Sequence, residues 1–180
     1  MKKAIAVLAL AVSALAWGET PVPSRDEIGA VERSMHDKLL KFHVEAPPDI
    51  LGLPRGIYLD GYGAVFTAEI SPLMTPGISP FRPTMTKEEI ARIRKAKEQR
   101  MPEVRVMMRQ MLVDAAATLD RVPRNERIVI GFVMFYNKWE DRGTMPRTIT
   151  MLAEKAALLE VAAGRGGVQS LNTAIQVREE

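Results

Sequence analysis

RGIYLDGYGAVFTAEIS, residues 55–71, decides how the chain is read. Three glycines precede a strand pattern, so the stretch is either a phosphate cradle or the bend of a hairpin. A dinucleotide fingerprint needs Gly-x-Gly-x-x-Gly leading into a helix whose N-terminus faces the pyrophosphate. Here Phe66 stands where the third glycine belongs, and Ala64 onward alternates as a strand: Val65, Thr67 and Glu69 on one side, Phe66, Ala68 and Ile70 on the other. Asp60-Gly61 between Leu59 and Tyr62 predicts a two-residue hairpin turn of type I′, which needs positive φ at both central positions. Gly63 suits a bulge or a close backbone approach. The stretch is therefore a hairpin, with strands expected at 57–59 and 64–70.

Working outward, Ser24-Arg25-Asp26-Glu27 is a capping box opening a helix to about residue 42. Ile28, Val31, Met35, Leu39 and Phe42 form its apolar stripe. Pro47-Pro48 and Gly52-Leu53-Pro54 predict a loop. On the other side, prolines 72, 76, 80 and 83 exclude a regular element over 71–85. Thr86-Lys87-Glu88-Glu89 is a second capping box and opens the longest helix. Ile90, Ile93, Met101, Val104, Met108, Met111, Leu112, Ala115 and Leu119 share one face, which only Lys97 interrupts. Pro102 predicts a kink or restart.

Residues 128–136, IVIGFVMFY, are apolar on both faces and predict a central strand covered on both sides. A polar turn at 137–146, a returning strand at 147–152 and a short helix at 155–163 follow. The tail, 170–180, reads either as a helix capped by Ser170 or as a strand carrying Ile175 and Val177. The order predicts an α+β two-layer domain: a mostly antiparallel sheet of four to five strands packed by two long helices and one short helix. Profilin-like and roadblock-like domains have a similar order of elements, a likeness of architecture that implies no function.

The N-terminus, MKKAIAVLALAVSALAWGET, predicts export. Lys2 and Lys3 precede an apolar run over 4–16, and Ala14-Leu15-Ala16 offers a small-x-small cleavage site. The run is shorter than the roughly 20 residues a spanning helix needs. Residues 1–16 are thus expected to be a signal peptide, 17–180 one globular domain, and the location secreted or periplasmic, with no membrane span after cleavage. Without Lys2 and Lys3, 23 Lys and Arg face 22 Asp and Glu, so net charge makes no case for nucleic acid. The chain has no cysteine, so an exported fold must rely on its core.

No catalytic signature is read. His36 and His43 lie two helical turns apart, too far to share a metal, and no Gly-x-Ser-x-Gly or Ser-x-x-Lys motif is present. Met101, Met108 and Met111 fit core filling rather than copper binding. The basic residues of the long helix spread around it and have acidic neighbours. No cofactor and no metal are expected. The sequence nominates a non-catalytic binding or assembly module engaging a protein partner through the 71–85 loop or a sheet edge. The surface residues nominated are Tyr58, Tyr62, Leu73, Met74, Ile78, Phe81, Tyr136 and Trp139. The alternative is a small hydrolase using Asp60, Tyr62, His36 or His43, and Glu140-Asp141.

Overall fold

The computed structural model describes residues 22–75, 77, 84–165 and 172–180. The elements run α1 (Arg25–Lys41), β1 (Asp49–Leu59), β2 (Gly63–Ser71), α2 (Lys87–Thr118), β3 (Arg127–Met134), β4 (Thr148–Glu154), α3 (Lys155–Ala162) and β5 (Gln176–Glu179). A helical turn at 172–174 precedes β5, so the described tail is first helical and then strand. Ser170 and the leader lie outside the described residues. The strands form one sheet in chain order. Neighbours are antiparallel except β2 and β3, which are parallel and joined by α2 as a crossover. This is the α+β two-layer arrangement with a mostly antiparallel sheet.

The 55–71 stretch is a hairpin, but its loop has three residues. Leu59 pairs with Gly63, and the Tyr62 N–H donates to the Leu59 carbonyl at 3.0 Å. Gly61 has φ +74°, while Asp60 does not take a positive φ. One left-handed position at the third residue is the type II pattern, not type I′. Neighbouring groups account for the difference. The Tyr62 carbonyl accepts the Arg127 N–H at 3.0 Å, which draws Tyr62 toward β3. One Glu126 carboxylate oxygen accepts from both the Gly61 N–H and the Tyr58 hydroxyl, each at 3.2 Å.

β1 starts at Asp49, well before the expected 57–59. The register shifts between Ile50 and Gly52 and again between Gly52 and Arg55. These irregularities absorb Gly52 and Pro54, which an edge strand tolerates because one side needs no ladder partner.

Both capping boxes form. The Ser24 hydroxyl accepts from Glu27 N at 3.2 Å, and the Glu27 carboxylate accepts from Ser24 N at 2.7 Å. Thr86 and Glu89 repeat the exchange at 3.2 and 2.9 Å. α2 passes Pro102 without a restart. Pro102 and Glu98, whose carbonyl loses its helical donor there, both face solvent, where water replaces the missing bond.

One apolar cluster joins the α1 stripe, Met101 to Leu112 of α2, Leu158 of α3 and the inward residues of the sheet. The inward residues include Phe66 and Ile70 of β2, Ile130 and Phe132 of β3, and Ile149 and Met151 of β4. Val129 and Leu152 are also buried, yet they stand outside this cluster. Strand side chains alternate between faces, so all three helices cover one face and Val129 and Leu152 belong to the other. β3 is buried on both faces over most of its length, Val129 and Gly131 included, while Val133 is exposed; among the described residues the helices pack on one face only.

Lys155 closes the end of α2. Its buried Nζ donates to the carbonyls of Leu119, Asp120 and Val122 at 2.5, 3.1 and 2.6 Å. Burial holds its pKa below the ordinary lysine value. Lys155→Met keeps the stem and removes the donors, so urea denaturation should show a loss of about 3 kcal/mol, the scale of stranding buried acceptors of a charged donor.

Candidate functional site

The register across the sheet arranges the helix-free face in rows. Ile57, Val65, Val129 and Leu152 stand side by side on four neighbouring strands, and Gln176 follows on β5. The next row is Arg55, Thr67, Gly131, Thr150 and Arg178. Beyond it lie Gly52, Glu69, Val133 and Thr148. The first row is an apolar band running at right angles to the strands. Val129 and Leu152 are its buried floor, whereas Ile57 is 57% exposed. Val133, lower on the same face, is 46% exposed. Tyr62 joins the face from the hairpin loop, with the Arg127 guanidinium 5.5 Å from its ring centre.

Two hollows mark this face. A groove of about 210 Å³ is lined by Tyr62, Val129, Thr150, Leu152 and Arg178. A cleft of about 580 Å³ adjoins it at Thr148 and extends past the ends of β2 and β3. Glu69, Val133, Tyr136, Lys138 and Arg147 line that cleft.

A buried ion pair builds the cleft wall. Lys97, the residue that interrupts the apolar stripe of α2, has a side chain 0% exposed, and that of Glu140 is 4% exposed. Their Nζ and Oε2 atoms are 2.5 Å apart. The other Glu140 oxygen accepts from Asn137 Nδ2 at 2.8 Å, Asn137 N at 3.3 Å and Thr75 Oγ1 at 3.4 Å. The pair therefore ties the 137–140 turn and the 72–75 segment to α2. Burial pushes the Lys97 pKa below the usual lysine value, and Glu140 opposes that fall. Tyr136, 5.3 Å from the Lys97 ammonium, donates its hydroxyl to the Pro146 carbonyl at 2.9 Å. Burial raises its pKa to about 12. An ammonium hidden against Glu140 has no path to a substrate, and a phenol of that pKa stays protonated near neutral pH, so neither supplies an accessible base or nucleophile.

The nominated surface residues do not meet in one place. Tyr58 is half-buried, packs against the core and bonds to Glu126, and burial raises its pKa to about 12. Tyr62 is exposed at the hairpin end. Tyr136 and Trp139 are half-buried beyond the other end of β3. Leu73 is half-buried, Met74 is exposed, and Ile78 and Phe81 lie outside the described residues. Gly63 pairs with Arg127 and Ile70 with Met134, so the two groups are separated by roughly 23 Å of strand.

The hydrolase residues are spread in the same way. Asp60 and Tyr62 sit at the hairpin end, and Glu140 sits at the opposite end. Asp141 pairs with Arg94, and the Gly143 N–H and Arg94 hold its pKa below the usual aspartate value. His43, with φ +51°, pairs with Glu103. His36 lines a cleft of about 330 Å³ with Glu32, Asp37, Leu53 and Arg55, and its buried Nδ1 has no hydrogen-bond partner.

The apolar band is the feature that sequence reading missed. The alternation of 64–70 exposes Val65, but only the pairing of four strands aligns it with Ile57, Val129 and Leu152. Comparison of the chain with family models, with curated proteins and with solved structures gives no match.

Proposed function

We propose that the protein is a non-catalytic binding or assembly module of an exported, periplasmic or secreted chain, and that the helix-free sheet face is its contact surface. The observation that carries this reading is the in-register band Ile57, Val65, Val129 and Leu152, with exposed Val133 and Tyr62 beside it. Val129 and Leu152 give the face an apolar floor, and Ile57, Tyr62 and Val133 are the large apolar side chains that it leaves open to a partner.

The face is favoured over the edges. β1 is bulged and carries Pro54, and β5 is a fully exposed strand of 4 residues bearing Arg178 and Glu179. Such features discourage strand addition. Of the 71–85 loop, Met74 is exposed and Thr75 reaches Glu140 at the cleft rim, so the loop is a neighbour of the face rather than a rival. Export is supported by Lys2, Lys3 and the apolar run that ends at Ala16. Among the described residues no helix is long and apolar enough to cross a membrane. The non-catalytic reading draws support from the distance between Asp60 and Glu140 and from His43 being paired to Glu103.

The test is photo-cross-linking in cells that make the protein, with a photoreactive residue at position 57, 133 or 106. Val106 faces solvent from α2, outside the core cluster, and serves as the control. Adducts are expected at 57 and 133 and not at 106. No adduct at 57 or 133, or equal adducts at 106, contradicts the reading.

A further inference from the structure

We infer that the cleft beyond the ends of β2 and β3 receives an acidic segment of a protein partner, with its carboxylates on Lys138, Arg142 and Arg147. The inference rests on the reading of the helix-free face as a contact surface and names the chemistry of what docks there.

Charge is the first argument. The cleft of about 580 Å³ is lined by Lys138, Arg142 and Arg147 against Glu69 and Glu140. The buried Lys97 neutralises Glu140, so one acid is left to three bases. Asp49, which also acts on Lys97, is outside the lining, and Asp141 is held by Arg94. In the adjoining groove Arg178 and Glu180 balance each other. Higher on the face, Arg55 and Arg127 stand with Glu154. A concave site with a surplus of one sign focuses its field on whatever enters.

Availability is the second. Among the described residues, the Lys138 ammonium and the Arg147 guanidinium have no partner. Both side chains are exposed, one on the 137–146 turn and the other just before β4. Arg142 gives Nη1 to the Met145 carbonyl at 2.6 Å and keeps its other donors. The polar groups deeper in the cleft are spent on each other and on backbone: the Tyr136 hydroxyl on the Pro146 carbonyl, and Asn137 Nδ2 on Glu140. The free donors therefore stand around the rim. Such a rim suits a chain that runs past several cations, whereas a small enclosed anion would need donors inside.

Continuity is the third. The cleft meets the groove at Thr148 and includes the exposed Val133. A segment leaving the cleft thus passes straight onto the face that carries Leu152 and Tyr62. Carboxylates at the cleft would fix its register, and an apolar side chain would cover Val133. An anionic membrane instead selects a broad surface of one sign, and Glu69, Glu154 and Glu180 lie on this one.

The test places a photoreactive residue at position 133 in cells and identifies the cross-linked segment by mass spectrometry. That segment should carry more Asp and Glu than Lys and Arg. Lys138→Glu with Arg147→Glu should cut the adduct yield by about tenfold, since like charges then face each other. Lys41→Glu with Lys95→Glu makes the same change in net charge on exposed residues of α1 and α2 and should leave the yield unchanged. If the charge-reversed protein misfolds, Lys138→Gln with Arg147→Gln is the milder pair and should still cut the yield several-fold. A neutral or basic segment, or a yield that the cleft variants do not lower, overturns the inference and leaves the contact surface standing. Binding of the purified protein to phosphatidylglycerol vesicles that is lost with Lys138 and Arg147 also overturns it, in favour of a lipid surface. Absence of adducts at both 57 and 133 removes both readings.

Discussion

Glu140→Ala is expected to lower folding stability by about 3–5 kcal/mol, the scale of stranding one partner of a buried ion pair. The substitution leaves the Lys97 ammonium buried without its counter-charge and frees Asn137 and Thr75 from their shared acceptor. The loss should also depend on pH. Burial already holds the Lys97 pKa below the ordinary value. Between its folded and unfolded values the unfolded chain binds more protons, so stability rises with pH across that window. Without Glu140 the folded pKa falls further and the window extends to lower pH. Urea denaturation at pH 6, 7.5 and 9 should find the variant least stable at pH 6 and partly recovered at pH 9, with a steeper rise than the parent. A loss below about 1 kcal/mol, of the size seen for exposed pairs, would mean that water reaches the ammonium. Lys97→Met placed on Glu140→Ala should restore part of the stability, since it removes the stranded charge.

Gly63→Ala is expected to abolish folding or to cost more than about 4 kcal/mol. A Cβ at this position would lie 1.9 Å from the Arg127 carbonyl oxygen and 2.7 Å from its nitrogen, with φ at +130°. The obstructing atoms are backbone of β3, so no rotamer change relieves the contact. Relief requires opening the β2–β3 pairing at the point where the parallel ladder begins. Gly61→Ala is the internal comparison. It meets nothing within 4 Å and suffers only from φ +74°, so it should cost about 1–2 kcal/mol. Thermal melts of the two variants separate the effects. A Gly63→Ala protein that melts like the parent would refute the close approach.

Local signals in the sequence were legible where the chemistry is local. Ser24 with Glu27 and Thr86 with Glu89 announce both helix starts because each exchange closes within three residues. Asp60-Gly61 announces the hairpin, while its loop length depends on Arg127 and Glu126, which no neighbouring residue reveals. Lys97 was visible as a break in an apolar stripe. Its partner lies 43 residues away, and spacing along the chain gives no distance for such a pair. The early half of β1 was hidden by Gly52 and Pro54, whose turn chemistry is tolerated only because β1 is an edge. The candidate site was the least legible part. Ile128 to Tyr136 announces burial on both faces, which Val129 and Gly131 bear out, but an apolar run does not say on which face the described helices pack. Ile57, Val65, Val129 and Leu152 become one band only through three strand pairings, one of them parallel.

A contact surface on the helix-free face should be occupied when the protein is at work. Cysteine accessibility tests this most directly in a chain that has no other thiol. Ile57→Cys, Val133→Cys and Val106→Cys would be labelled with a membrane-impermeant maleimide, first on dilute purified protein and then on permeabilised cells. Positions 57 and 133 should react several-fold more slowly in the cells, while position 106 should react at the same rate in both. Equal rates at all three positions would contradict it.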